Sequence, residues 1–110
     1  WTDEGNDELT EFSYAAESYD AVILLALASL AAGSTDGAAI ADKLQEVSGG
    51  SGDGTTCTSF AECAEIINSG GVADYDGISG KITFDDVGDP TDASIGIYQY
   101  TADNDYVAYQ

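Results

Sequence analysis

The sequence feature that most constrains the fold is one apolar run, AVILLALASLAA, at residues 21–32. A helix from about Phe12 to Ala32 would be apolar on nearly every face past Asp20, so we expect it to be buried on several sides. The run is shorter than the roughly 20 apolar residues that a bilayer span requires. Seven acidic residues precede it, the opposite of the basic leader of a signal peptide. We therefore expect a core helix without membrane insertion.

The chain around this helix is strongly acidic. Its 110 residues include 21 Asp and Glu, two Lys and no His, which gives a net charge of −19. Nucleic acid and anionic membranes are bound by clustered Lys and Arg, so we expect neither as a partner. Self-repulsion of this size favours a medium with screening salt or divalent cations, such as a salty or cell-surface habitat. The sequence lacks Met altogether, and we expect it to be a processed piece of a longer protein.

Local signals predict two further helices. Gly33 is a typical helix stop, and the next three residues supply N-cap types for a second helix that reaches about Val47, with an apolar stripe along one side. A flexible loop at 48–56 then precedes a third helix, from about Phe60 to Asn68. Residues 1–70 are therefore predicted to be the helical part of the chain.

Residues 71–110 change from a helical to an alternating apolar period. The pattern predicts strands at 80–84, 93–101 and 105–109, of which the last two form a hairpin around the Ala-Asp-Asn turn. At this length the chain is one domain. We predict an α+β fold, with three helices followed by a small, mainly antiparallel set of strands.

Two cysteines, Cys57 and Cys63, flank the start of the third helix. Ser59 and Glu62 fit a capping box, which makes Ser59 the N-cap and places Cys57 just outside the helix. A disulfide between the two cysteines then needs little backbone movement, and two separate buried thiols are the alternative. A zinc site lacks ligands because there are only two thiols and no His. A disulfide predicts an extracellular or cell-surface location.

The stretch DYDGISGKITFDDVGDPTD, at 74–92, concentrates six Asp among glycines. It lacks the spacing and the distal Glu of an EF-hand, so calcium binding stays an open alternative to plain turn chemistry. The turn interpretation gives Gly77 and Gly88 positive φ and places Asp85 and Asp86 in a tight turn. We predict neither a metal site nor a cofactor.

Catalysis is disfavoured by the residue inventory. Without His there is no Ser-His or Cys-His pair, and Ser79 in the sequence GISG has no base. Close carboxylate pairs of the glycosidase kind arise by chance among 21 acids. We predict that the protein is not an enzyme.

Three segments together resemble a known family: SYDAVILLALASLAAGSTDGAAIADKLQEV, YDGISGKITFDDVGDP and ASIGIYQYTADNDYV. They are similar to the C-terminal part of type I periplasmic-binding-protein-fold substrate-binding proteins of ABC transporters, in the branched-chain amino-acid branch. The similarity runs from about Phe12 to Tyr109, and the paired cysteines resemble those of secreted actinobacterial members. It implies the C-terminal part of an extracytoplasmic protein that carries amino acids or similar small solutes to an ABC permease.

The resemblance also implies what this chain lacks. Family members are longer and have two α/β lobes that close on the ligand, which they grip mostly through upstream segments. Only the start of the first helix approaches that cleft, which makes Tyr14 the candidate ligand-lining residue, with a helix-packing aromatic as the alternative. The chain alone is therefore not expected to bind an amino acid.

The alternative function is structural. The uncovered apolar helix and the tyrosine-rich terminal strands, whose edge could accept a neighbour's strand, predict self-association. A head-to-tail contact that does not close would give a filament or tube. The two functions differ in whether the isolated chain is a monomer.

Overall fold

The computed structural model describes residues 2–8, 10, 12–93 and 95–109. Within them, a short 3-10 turn at Thr2–Glu4 is followed by helices and strands in the predicted α+β order. The helices are α1 Ala15–Ala32, α2 Gly37–Val47 and α3 Phe60–Asn68. The strands are β1 Thr55–Cys57, β2 Ala73–Gly77, β3 Gly80–Lys81, β4 Tyr98–Tyr100 and β5 Tyr106–Ala108.

The helix ends follow the local signals in the sequence. Gly33 adopts φ 59° after α1, and its N–H donates to the carbonyls of the last turn, as a helix-ending glycine does. Asp36 caps α2, accepting from the N–H groups of Ala38 at 3.1 Å and Ala39 at 3.2 Å. The predicted boundaries of α2 and α3 are confirmed. Helix α1 starts later than predicted because Tyr14 is left-handed.

Helix α1 is covered on one face only, which contradicts the predicted burial on several sides. Its buried residues are Asp20, Leu24, Leu27 and Ala28, which lie at helical spacing; α1 packs against α2 and α3, and Asp20 bonds Tyr75 of β2. Val22 and Leu25 are 65% and 49% exposed. By length and composition α1 could cross a membrane, a test that core helices and signal sequences also pass; the absence of membrane insertion stays a prediction.

The first sheet has the order β1-β2-β3. Strand β1 runs parallel to β2, and α3 is the crossover between them, whereas β2 and β3 are antiparallel. The predicted loop at 48–56 is therefore wrong at Thr55 and Thr56, which pair with β2. Both remaining pairings are antiparallel, so the predicted sheet character is confirmed.

The predicted disulfide is present. Cys57 at the end of β1 is bonded to Cys63 in α3, with 5.4 Å between the Cα atoms, and both are buried. Ser59 caps α3 by accepting from the Glu62 N–H at 3.3 Å. The Glu62 carboxylate accepts from the Thr58 N–H at 3.0 Å, which lowers its pKa. The disulfide belongs to the core cluster of Leu24, Leu27, Ala28, Val47, Cys57, Cys63, Ala73 and Tyr75.

The acidic segment at 74–92 contains turns, and the turn interpretation of the sequence is confirmed for some of its residues and wrong for another. The Asp85 carboxylate accepts from the N–H groups of Val87 and Asp89, and Gly88 has φ 88°. Gly77 is not among the residues with positive φ, so that part of the prediction is wrong. The strand predicted at 80–84 shortens to β3, and Phe84 forms an isolated bridge with Pro90. The predicted C-terminal hairpin is present as β4 and β5.

Candidate ligand-binding cleft

A cleft of about 660 Å³ lies between the first half of α1 and the chain that follows β2. Ligand pockets commonly have volumes of this size, with an apolar lining and a few polar groups. The cleft is lined by Tyr14, Glu17, Ala21, Leu24, Ser79, Gly80, Lys81, Ile82, Phe84, Pro90, Asp92 and Ala93.

Helix α1 forms one wall of the cleft through residues at helical spacing. Glu17, Ala21 and Leu24 are four and three positions apart, so they share one face of the helix. Tyr14 stands at the N-terminal end of this wall, 78% exposed. Its φ of 64° and ψ of 6° are left-handed, a conformation that costs a residue with a Cβ about 1–2 kcal/mol. Non-glycine residues held in such conformations cluster at functional sites.

The opposite wall is tied to α1 by a buried carboxylate. Asp20 is fully buried, and its Oδ1 accepts from the Tyr75 hydroxyl at 2.8 Å and from the Ile78 N–H at 3.1 Å. Its Oδ2 accepts from the Ser79 N–H at 2.7 Å and from the Ser79 hydroxyl. These four residues, the Asp20 cluster, join α1 to β2 and to the turn before β3. The cluster therefore fixes the distance between the two walls.

Gly77 is required at its position by this close approach. A Cβ on Gly77 would lie 2.1 Å from the Asp20 Oδ1, well inside contact distance. The glycine thus serves the Asp20 cluster and not a positive φ. This physical reason replaces the one predicted from the sequence.

Within the Asp20 cluster, the Asp20 carboxyl group is the ionised group. Burial by itself raises the pKa of Asp20, but the hydrogen bonds from Ser79, Tyr75 and Ile78 outweigh it, so that the pKa lies below the ordinary 3.8. Burial, together with the hydrogen bond to Asp20, raises the pKa of Tyr75 far above its ordinary value. The tyrosine is thus a permanent donor and the aspartate a permanent acceptor at neutral pH.

The second wall carries a cation, Lys81, close to carboxylates of β2. Lys81 is exposed on β3 and is one of two lysines in the sequence. The other, Lys43, pairs with Glu46 at 2.8 Å in α2. Lys81 makes no ion pair within 4 Å of a described carboxylate, but it lies directly opposite Asp76 in the β2–β3 pairing, and its charge acts to lower the pKa of Asp74. A lysine ammonium in this position can attract an anionic group of a ligand.

Asp74 and Asp76 lie on the face of β2 away from the core. Each has one buried carboxylate oxygen without a hydrogen-bond partner among the described residues. Burial, and then the charge of Asp76, raise the pKa of Asp74. No group of three or more metal-binding side chains comes together in the described part of the chain.

A second depression, of about 750 Å³, lies beside the disulfide. Its lining comes from the end of β1 and one side of α3, and includes Thr56, Glu62 and Ile66. Its lining also has hydroxyls and two carboxylates, but it has no lysine, whereas Lys81 lines the first cleft. The first cleft is therefore the better candidate site.

Of the residues predicted from the sequence, Tyr14 lines the cleft, while its contact with a ligand stays a prediction. Cys57 and Cys63 lie in the core and not in the cleft. Asp20, Ser79 and Lys81 were not predicted as site residues. The unusual position of Lys81 could have been noticed, since a lysine between two acidic clusters is rare in this composition.

Comparison with known proteins bears on this cleft. Residues 2–103 match the receptor family ligand binding region. The chain is also 35% identical over 69 residues to the chemotactic signal transduction system substrate-binding protein BasB of Halobacterium salinarum. That alignment covers 63% of this chain and 17% of the relative. No solved structure matches the chain.

Proposed function

This chain belongs to the receptor family of ligand-binding regions, whose fold is of the type I periplasmic-binding-protein kind, and from that premise we propose that it is part of an extracytoplasmic solute-binding protein. The short alignment with BasB supports a longer parent protein, because it covers only 17% of that relative. The disulfide supports an oxidising, extracytoplasmic compartment. The family is one of ligand-binding regions and not of enzymes.

The observation that carries the proposal is the cleft, which has Lys81 in its wall. The proposed ligands are amino acids or similar small solutes, including those with a branched apolar side chain. Lys81 attracts the ligand carboxylate, Glu17 and Asp92 attract the ammonium group, and Leu24 and Phe84 accept the apolar part. Tyr14, at the N-terminal end of the α1 wall, adds ring surface and a hydroxyl.

The proposed partner is a membrane protein that receives the loaded binding protein. An ABC permease is the partner implied by the family resemblance. The name of BasB points instead to a chemotactic signalling system. Both partners use the same ligand-binding event, so the cleft is equally suited to either.

The test measures ligand affinity in the longer protein that contains this chain. Isothermal titration with a panel of amino acids should give binding, and Lys81→Gln should weaken it by at least about tenfold, equivalent to about 1.4 kcal/mol. The matched control is Lys43→Gln, which removes the same charge outside the cleft and should leave affinity unchanged.

A second ligand series assigns the contact. For amine analogues that lack the carboxylate, Lys81→Gln should make no difference, because the charge that it pairs with is gone. Equal loss for both ligand series, or equal effects of the two lysine substitutions, would contradict the proposed role of Lys81. Absence of binding to every amino acid would refute the ligand class.

A further inference from the structure

The C-terminal hairpin, β4 with β5, has both faces uncovered. Every residue of the two strands is exposed. Tyr98, Tyr100 and Tyr106 occupy one face, where Tyr98 and Tyr106 meet edge to face at 5.5 Å between ring centroids. A two-stranded hairpin is marginally stable in water, and three or more strands are normally needed. The hairpin therefore gains stability from any further strand.

The free edge of β4 can be identified from the register. The N–H groups of Thr101 and Tyr109 donate within the hairpin, to Asp105 and Ile97, each at 2.8 Å. In an antiparallel pair such bonded positions alternate with unbonded ones. Tyr98 and Tyr100 are the unbonded positions of β4. Their backbone N–H and C=O groups consequently point outwards, away from β5.

This edge lacks the features by which proteins prevent strand pairing. Residues 95–101 contain no charged residue and no proline in a chain that has 21 acidic residues. The acids of the hairpin, Asp103 and Asp105, lie in the turn. Charged side chains and proline are the usual protection of an exposed edge. The edge of β4 is thus a part of the surface where a second copy meets little charge repulsion.

We propose that β4 pairs antiparallel with β4 of a second copy about a two-fold axis, which gives a four-stranded sheet and a closed dimer. Pairing Tyr98 with Tyr100 of the second copy uses all four outward backbone groups and places the tyrosines of both copies on one face. Tyr98 and Tyr100, which are 60% and 80% exposed in the single chain, would then lie beside the same residues of the second copy. This inference does not depend on ligand binding.

The experiment is light scattering with size exclusion on this chain in molar KCl, where charge repulsion is screened. The unchanged chain should show twice its 11.3 kDa mass. Tyr100→Pro should show the single mass, because it removes an outward N–H while keeping every hairpin hydrogen bond. Tyr100→Phe retains the N–H and the ring and should remain dimeric.

Hydrogen exchange provides a second readout that does not depend on variants. On dilution, the amides of Tyr98 and Tyr100 should exchange at least about tenfold faster, while those of Thr101 and Tyr109 stay protected by the hairpin. A single mass at every concentration, or an unchanged double mass for Tyr100→Pro, would overturn the proposal. The first result would assign the hairpin to another part of a longer ligand-binding protein.

Discussion

Replacing Asp20 by alanine should destabilise this fold more than any single surface substitution. The change leaves four donors without their acceptor: the Tyr75 hydroxyl, the N–H groups of Ile78 and Ser79, and the Ser79 hydroxyl. Hydrogen bonds to a charged group contribute about 1.5–3 kcal/mol each. Because the turn at 78–79 can relax towards water while Tyr75 is 1% exposed, we expect a net loss of about 3–5 kcal/mol.

Two milder variants set a scale for this loss. Asp20→Asn keeps one acceptor oxygen for Tyr75 and Ile78 but turns an amide donor towards the Ser79 N–H, and should cost about 2 kcal/mol. Tyr75→Phe removes one neutral donor and leaves the carboxylate its other three, so about 1 kcal/mol is expected. The predicted order of destabilisation is alanine, then asparagine, then phenylalanine.

The assay is urea unfolding followed by far-UV circular dichroism, at constant molar KCl because guanidinium would itself screen the charges. The pKa of Asp20 is lower in the fold than its ordinary 3.8, so its contribution is complete above that value. It is lost as pH falls through the lower, folded pKa. The difference in the free energy of unfolding between the native chain and Asp20→Asn should therefore become smaller only at acidic pH.

Three results would refute this account of the Asp20 cluster. One is a loss below about 1 kcal/mol for Asp20→Ala, the range of surface substitutions. Another is a larger loss for Tyr75→Phe than for Asp20→Ala. The third is a difference between native chain and Asp20→Asn that grows as the pH falls from neutral, since that would require a raised and not a lowered pKa.

Three further outcomes are expected. Gly77→Ala should lower the free energy of unfolding by about 2–4 kcal/mol in the same urea assay, because the added Cβ displaces the Asp20 carboxylate. Gly37→Ala, which has open space and an ordinary helical backbone, should be neutral or slightly stabilising. Equal effects of the two substitutions would contradict the close approach of Gly77 to Asp20. Changing both Cys57 and Cys63 to alanine should cost about 2 kcal/mol, because the closed loop is short, and no loss would show that the bond adds nothing to the core. The melting temperature should rise with KCl concentration, because salt screens the repulsion within a chain of net charge −19 that has one described ion pair. A melting temperature that falls with added salt would contradict dominant charge repulsion.

The sequence alone determined the features whose causes lie within a few residues. Gly33, Asp36 and Ser59 end or begin helices through their own backbone freedom or their own side-chain oxygens, so the bounds of α2 and α3 could be predicted. The disulfide depended on the short distance between Cys57 and a capped helix start. The hairpin depended on its turn and on alternating tyrosines and aliphatic residues.

Only the tertiary structure decided the features that join distant segments. Asp20 reaches Ser79 across 59 positions, and β1 pairs in parallel with β2 through a helix. Neither contact leaves a local pattern: an aspartate in a helix is ordinarily exposed, and two threonines after a glycine-rich stretch are typical of a loop. The single covered face of α1 was likewise undetermined, because an apolar run shows which side chains avoid water and not which neighbours are there to cover them.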